Sequence, residues 1–183
     1  MKKARHKISP ENFPPYAFAF YGVAIDEAAR LAVRSFMDYS DAIEDGASPS
    51  EAAGLLHDAI NHCAAVSRFF WPSPKAGAVA RYRGEKLREL YKIDDASPLN
   101  DRNLRNSLEH HDERIDRWIA FDPVGPIIPG PIFASHTITD EQLGHAFKVI
   151  DRDEEVYVVM GKKFKYAPLS HAIAEICLRE DCI

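Results

Sequence analysis

Residues 48–70 read SPSEAAGLLHDAINHCAAVSRFF. Ser48, then Pro49, then Glu51 three residues after the serine is a helix-start signature. The serine hydroxyl accepts from a first-turn N–H, and proline at the first helical position has no N–H to leave unsatisfied. Beyond it Leu56, Ala59, Ile60, Cys63, Val66 and Phe70 recur at three- and four-residue steps, which places them on one apolar helix face. Pro72 and Pro74 end the helix.

Working outward, the prolines divide the chain. None falls between Tyr16 and Ser48, between Lys75 and Ser97, or between Leu99 and Asp122. Each gap is long enough for a helix. The first has Phe18, Tyr21, Ile25, Ala28, Ala32 and Phe36 on one face and should end near Ile43, ahead of Asp45-Gly46. The third turns Val79, Tyr82, Leu87, Leu90 and Tyr91 inward. It is also the basic helix, with Arg81, Arg83, Lys86, Arg88 and Lys92. The fourth opens near Asn100 or Asp101, either a good N-cap, with Leu104, Leu108, His111, Ile115, Trp118 and Ile119 as its stripe. Short connections favour antiparallel neighbours.

After Trp118 the character changes. Pro123, Gly125, Pro126, Pro129, Gly130 and Pro131 mark an irregular crossing segment. Thr139 and Gln142 suggest a short capped helix. Val156–Met160 and Lys163–Tyr166 flank Gly161-Lys162, a two-residue hairpin signal. Leu169, Ile173 and Ile176 suggest a last short helix. The expected fold is therefore mainly α: an antiparallel four-helix bundle with a C-terminal β-hairpin and short helix as an appendage. The expected organisation is a basic N-terminal arm over 1–15, the bundle over 16–122, and the crossing segment, hairpin and helix over 123–183.

Composition bounds the function. The chain has 183 residues, enough to bury a real core. A net charge of −5 argues against coating nucleic acid by bulk charge, although a local basic patch could still hold RNA. Three cysteines form no disulfide framework and fit a reducing, cytoplasmic setting. Prolines and Glu11 interrupt any signal-peptide pattern at the start, and no apolar run approaches the ~20 residues of a membrane helix. Walker A loops, dinucleotide-binding glycine loops, nucleophile elbows and paired Glu-x-x-His motifs are absent, and no cofactor or metal is expected.

One constellation could carry chemistry: Arg105-Asn106-Ser107-Leu108-Glu109-His110 in the fourth helix. At 100° per residue, Asn106, His110, Glu113 and Arg117 share a polar flank, and Asn106 and His110 can touch. Arg105 and His110 lie about 140° apart, so their cooperation needs a second helix, such as one from another protomer. A solvated charged face, with Arg105 paired to Glu109, is the competing account of the same residues.

The spacing Arg105-Asn106-x-x-x-His110, early in the fourth helix, resembles the HEPN family of helical-bundle ribonucleases and nucleotide-binding domains. The resemblance covers roughly residues 16–120. It implies metal-independent RNA cleavage, with His110 as general acid or base, Arg105 stabilising the charged phosphorane and Asn106 orienting His110 or the phosphate. It also implies a homodimer, and a toxin–antitoxin or defence role with an antitoxin partner. Arg81, Arg88 and Lys92 would guide the RNA backbone. The alternative is a non-enzymatic helical dimerisation or interaction module.

Overall fold

The computed structural model describes residues 8–101, 111–120, 127–134 and 145–178. Its helices are α1 (Ala17–Glu44), α2 (Pro49–Phe70), α3 (Ala78–Tyr91), α4 (His111–Ala120) and α5 (Ala167–Leu178). Its strands are β1 (Ile128–Ala134), β2 (Ala146–Asp151), β3 (Val156–Val159) and β4 (Lys162–Lys165).

The three proline-bounded helices form where expected. Ser48 Oγ accepts from the Glu51 N–H at 3.3 Å and opens α2. α1 stops at Glu44, and Gly46 takes the left-handed φ of 80° in the turn that follows. α1 and α2 pack against each other through Ile25, Ala29, Ala32 and Phe36 on one side and Leu56, Ala59, Ile60 and Cys63 on the other. α2 is buried on more than one face, since Ala52, Ala53, Ala64 and Ser67 are covered too. The second face meets the sheet, through β1 and β2. On α3 only Gly84, Leu87 and Tyr91 are buried, and Leu90, expected inside, is exposed.

The four-helix bundle with an appended hairpin is not the fold. The C-terminal half holds a four-stranded mixed sheet in the order β1-β2-β3-β4, with β1 parallel to β2 and the other pairs antiparallel. β1 runs through Pro129 and Pro131, the stretch expected to be an irregular crossing. Two prolines are tolerated because β1 is an edge strand, where half of the backbone N–H groups need no ladder partner. Its register shifts between Ile128 and Pro131, where the prolines interrupt pairing. The hairpin exists, but its turn lies one residue earlier than expected. Met160 (φ 48°) and Gly161 (φ 73°) form the two-residue loop that joins Val159 to Lys162. Two consecutive positive φ values are what a tight hairpin of this twist requires.

The sheet is not a surface feature. Ile150, Tyr157, Val159 and Phe164 join the same core cluster as α1 and α2. Val149, Val156 and Val158 are buried on its opposite face with Ala146, against Ile132 and Ala134. α5 contributes Leu169, Ile173 and Ile176 to the main core and packs on α1. Tyr39 of α1 and Tyr166, just ahead of α5, share a buried hydroxyl–hydroxyl hydrogen bond of 3.1 Å. α4 leans on the sheet, with the Trp118 ring 6.2 Å from that of Phe147 on β2. Among the described residues no helix is long and apolar enough to cross a membrane. The Thr139/Gln142 capping expectation lies outside the described residues.

α3 crosses the end of α2 at Gly84. A Cβ there would stand 2.6 Å from the Phe70 carbonyl oxygen and 2.8 Å from Pro72 Cδ. Helix propensity favours alanine over glycine by about 1 kcal/mol. Overpacking against backbone costs about 1–3 kcal/mol and should win. Gly84→Ala is therefore expected to destabilise the protein by about 1–2 kcal/mol in urea unfolding. A stabilised variant would show that the crossing relaxes freely.

Candidate functional site

Arg105, Asn106 and His110 lie outside the described residues. The described residues stop at Asp101 and resume at His111, where the described part of α4 begins. Of the expected polar flank only Glu113 and Arg117 fall among the described residues; four apart on α4, they pair at 3.2 Å. Asp112 and Asp116 are exposed as well. Ile115 and Trp118 pack on the core as the stripe required, whereas Ile119 is exposed. Arg114 is half-buried, and its guanidinium pKa is lowered by burial and then by Arg117.

The segment that leads into the motif is firmly placed. Leu99 is buried, and its carbonyl accepts from Ser67 Oγ on α2. Asn100 donates from Nδ2 to the Asp95 carbonyl at 3.0 Å. A cavity of about 330 Å³ opens here, between the 71–74 loop, α3 and residues 95–100. Arg81, Glu85 and Arg88 form its α3 wall, with Trp71 and Asp95 opposite.

The two arginines of this wall differ in what they have left to offer. Arg88 donates to the Phe70 carbonyl at the end of α2, sits 3.6 Å from the Asp95 carboxylate and lies over the Trp71 ring at 5.8 Å. Trp71 Nε1 in turn donates to Asp95 at 2.7 Å. Arg88 is thus committed to holding α2, α3 and the 94–100 loop together. Arg83 plays a matching part, donating to the Arg68 carbonyl at 3.1 Å and stacking on Tyr21 at 5.2 Å. The last carbonyls of a helix have no partner within it and carry partial negative charge, so two guanidinium groups are well matched to them. Arg81 is exposed and uses one guanidinium nitrogen on the Ala76 carbonyl, at 2.7 Å. Lys92 does not join the cavity. It ends α3 in the left-handed conformation (φ 51°) and lines a separate pocket with His171 and Glu175 of α5.

Of the three residues expected to guide RNA, then, Arg81 and Arg88 share one cavity and Lys92 faces another. The clamp of Arg83 and Arg88 went unforeseen, because nothing local in the sequence says which carbonyls a guanidinium will meet.

The aromatic run Phe69-Phe70-Trp71 belongs to the core, with Phe70 and Trp71 buried. Cys63 is buried, and burial pushes its thiol up to about 12, which removes it as a nucleophile. A third pocket, about 260 Å³, lies between α1 and α5 and includes Tyr39, Tyr166, Arg152 and His171. Burial raises both phenols; for Tyr166 the Tyr39 hydroxyl and nearby carboxylates add to it, so both stay protonated. Among the described residues no group of three metal-ligating side chains comes together. No protein-family model, curated protein or solved structure matches the chain.

Proposed function

We propose that this chain binds RNA and cleaves it without a metal, as a HEPN-like endoribonuclease. The observation that carries the reading is the spacing Arg105-Asn106-x-x-x-His110. It is supported by the cavity walled by Arg81 and Arg88 beside Asn100, next to the point where the motif segment begins. Arg81 retains donors for a phosphate, while Arg88, beside Asp95, holds the wall of the cavity in place.

In this reading His110 takes the proton from a ribose 2′-hydroxyl, because an imidazole titrates near neutral pH. The 2′-oxygen attacks phosphorus, the bond to the 5′-oxygen breaks, and that oxygen leaves with a proton taken from solvent water. The products are a 2′,3′-cyclic phosphate and a 5′-hydroxyl. Arg105 offsets the charge that builds on the phosphorane oxygens. Asn106, four residues before His110 in the sequence, orients the imidazole or the phosphate.

The test is cleavage of a mixed RNA pool in EDTA. His110→Ala, checked for folding by circular dichroism, should lose about 10²–10⁴-fold in rate. Wild-type products should carry cyclic-phosphate ends. Equal rates in the two proteins, or no cleavage by wild type across a wide range of pH, would remove the nuclease reading.

A further inference from the structure

α1 carries a row of apolar side chains that faces away from the core. Tyr16 and Phe20 are each 71% exposed, Val23 60%, Leu31 50% and Met37 61%. At 100° per residue Tyr16, Phe20, Val23, Glu27, Leu31 and Arg34 fall within about 80°, and Arg30 and Met37 lie about 20° and 40° beyond one edge of that arc. The buried residues Ile25, Ala29, Ala32 and Phe36 lie on the opposite side of the helix. The row runs about 32 Å from Tyr16 to Met37. Single exposed apolar residues are ordinary, but an aligned row of this length marks an interface.

We infer that this face of α1 pairs with the same face of a second copy, antiparallel, about a two-fold axis that crosses the exposed face midway between the levels of Glu27 and Arg30. The charges select both occupant and direction. Glu27 sits in the middle of the row, and among the described residues it makes no ion pair. Arg30 and Arg34 follow it, Arg30 held by Asp26 at 2.7 Å and Arg34 only loosely by Asp38 at 3.9 Å. A parallel pair would set Glu27 against Glu27 and Arg34 against Arg34.

In the antiparallel pair Phe20 comes level with Met37 of the second copy. Glu27 comes level with Arg30 and one turn from Arg34, and Val23 lies against the aliphatic stem of Arg34. Each contact occurs twice, as an isologous interface requires. One helix per side supplies fewer residues than a standard interface, so a micromolar Kd is expected. The inference does not rest on the RNA reading.

Sedimentation of the full chain from about 1 µM to about 100 µM tests it. Wild type should pass from monomer to a species of twice the chain mass. Val23→Glu/Leu31→Glu should stay monomeric throughout with an unchanged helical spectrum, since both positions are exposed. Glu27→Arg should weaken association about tenfold or more, and adding Arg30→Glu/Arg34→Glu to it should restore most of the loss. Three results would overturn the inference. They are a wild type that stays monomeric, a dimer untouched by Val23→Glu/Leu31→Glu, and a charge reversal that neither weakens nor restores association.

Discussion

Ile173→Asp is expected to leave no folded protein at 25 °C. Ile173 is fully buried on α5, in the same core cluster as Ile25 of α1 and Ile60 of α2. A carboxylate at that position loses the transfer free energy of the isoleucine, about 2–3 kcal/mol. It also brings an unpaired charge into the core, which costs several kcal/mol more even if the group protonates. Domains of this size are stable by about 5–15 kcal/mol, so the sum consumes most or all of the margin.

The diagnostic is which helices disappear. The sheet and α5 share a core with α1 and α2, so the far-ultraviolet helical signal of α1–α3 should collapse together with α5. Ile173→Ala, the graded version, should cost about 2–5 kcal/mol and keep one transition by circular dichroism and by tryptophan fluorescence. Leu178→Lys, exposed at the end of the same helix, should stay within about 0.5 kcal/mol of wild type. Helical signal that survives Ile173→Asp would mean that α5 docks on a separately stable bundle.

Phe70→Ala is expected to cost about 3–5 kcal/mol, enough to lower the urea midpoint by about 2 M. The ring is fully buried, 5.3 Å from the Tyr91 ring and 5.8 Å from that of Trp71. Its backbone carbonyl is the atom that Arg88 grips and that Gly84 must clear. Truncation leaves a cavity at the junction of α2, α3 and the loop to Leu99, which Ser67 pins to α2. The site can collapse little, because Gly84 and Pro72 already fix how closely α3 approaches. A loss under 1 kcal/mol would show that α3 moves in to fill the space. In that case the cavity walled by Arg81 and Arg88 would not be a rigid feature.

Local chemistry settled the helices. α1, α2 and α3 end within a few residues of where prolines, Gly46 and Ser48 place their limits, since breaking and capping depend on the chain's immediate neighbours. A tight hairpin near Gly161 was legible for the same reason, although the presence of Met160 in its turn was not. A methionine at positive φ is uncommon, and this one is buried, where tertiary packing can hold it.

The sheet and the surfaces were decided only in three dimensions. β1 contains two prolines and reads as a breaker until it becomes an edge strand, and its partner β2 lies beyond residues 135–145, so no local pattern announces the pair. Apolar periodicity on α1 located the inward face but could not say what the remaining apolar residues meet. Phe20 and Val23 are as apolar as Phe18 and Ile25, and only the direction of the neighbouring helix leaves them outside. The basic character of α3 was plain from composition. That Arg83 and Arg88 turn to the end of α2, leaving Arg81 outward, follows from where two helices cross. A guanidinium goes to whichever unsatisfied carbonyl the crossing presents, and chain order does not encode it.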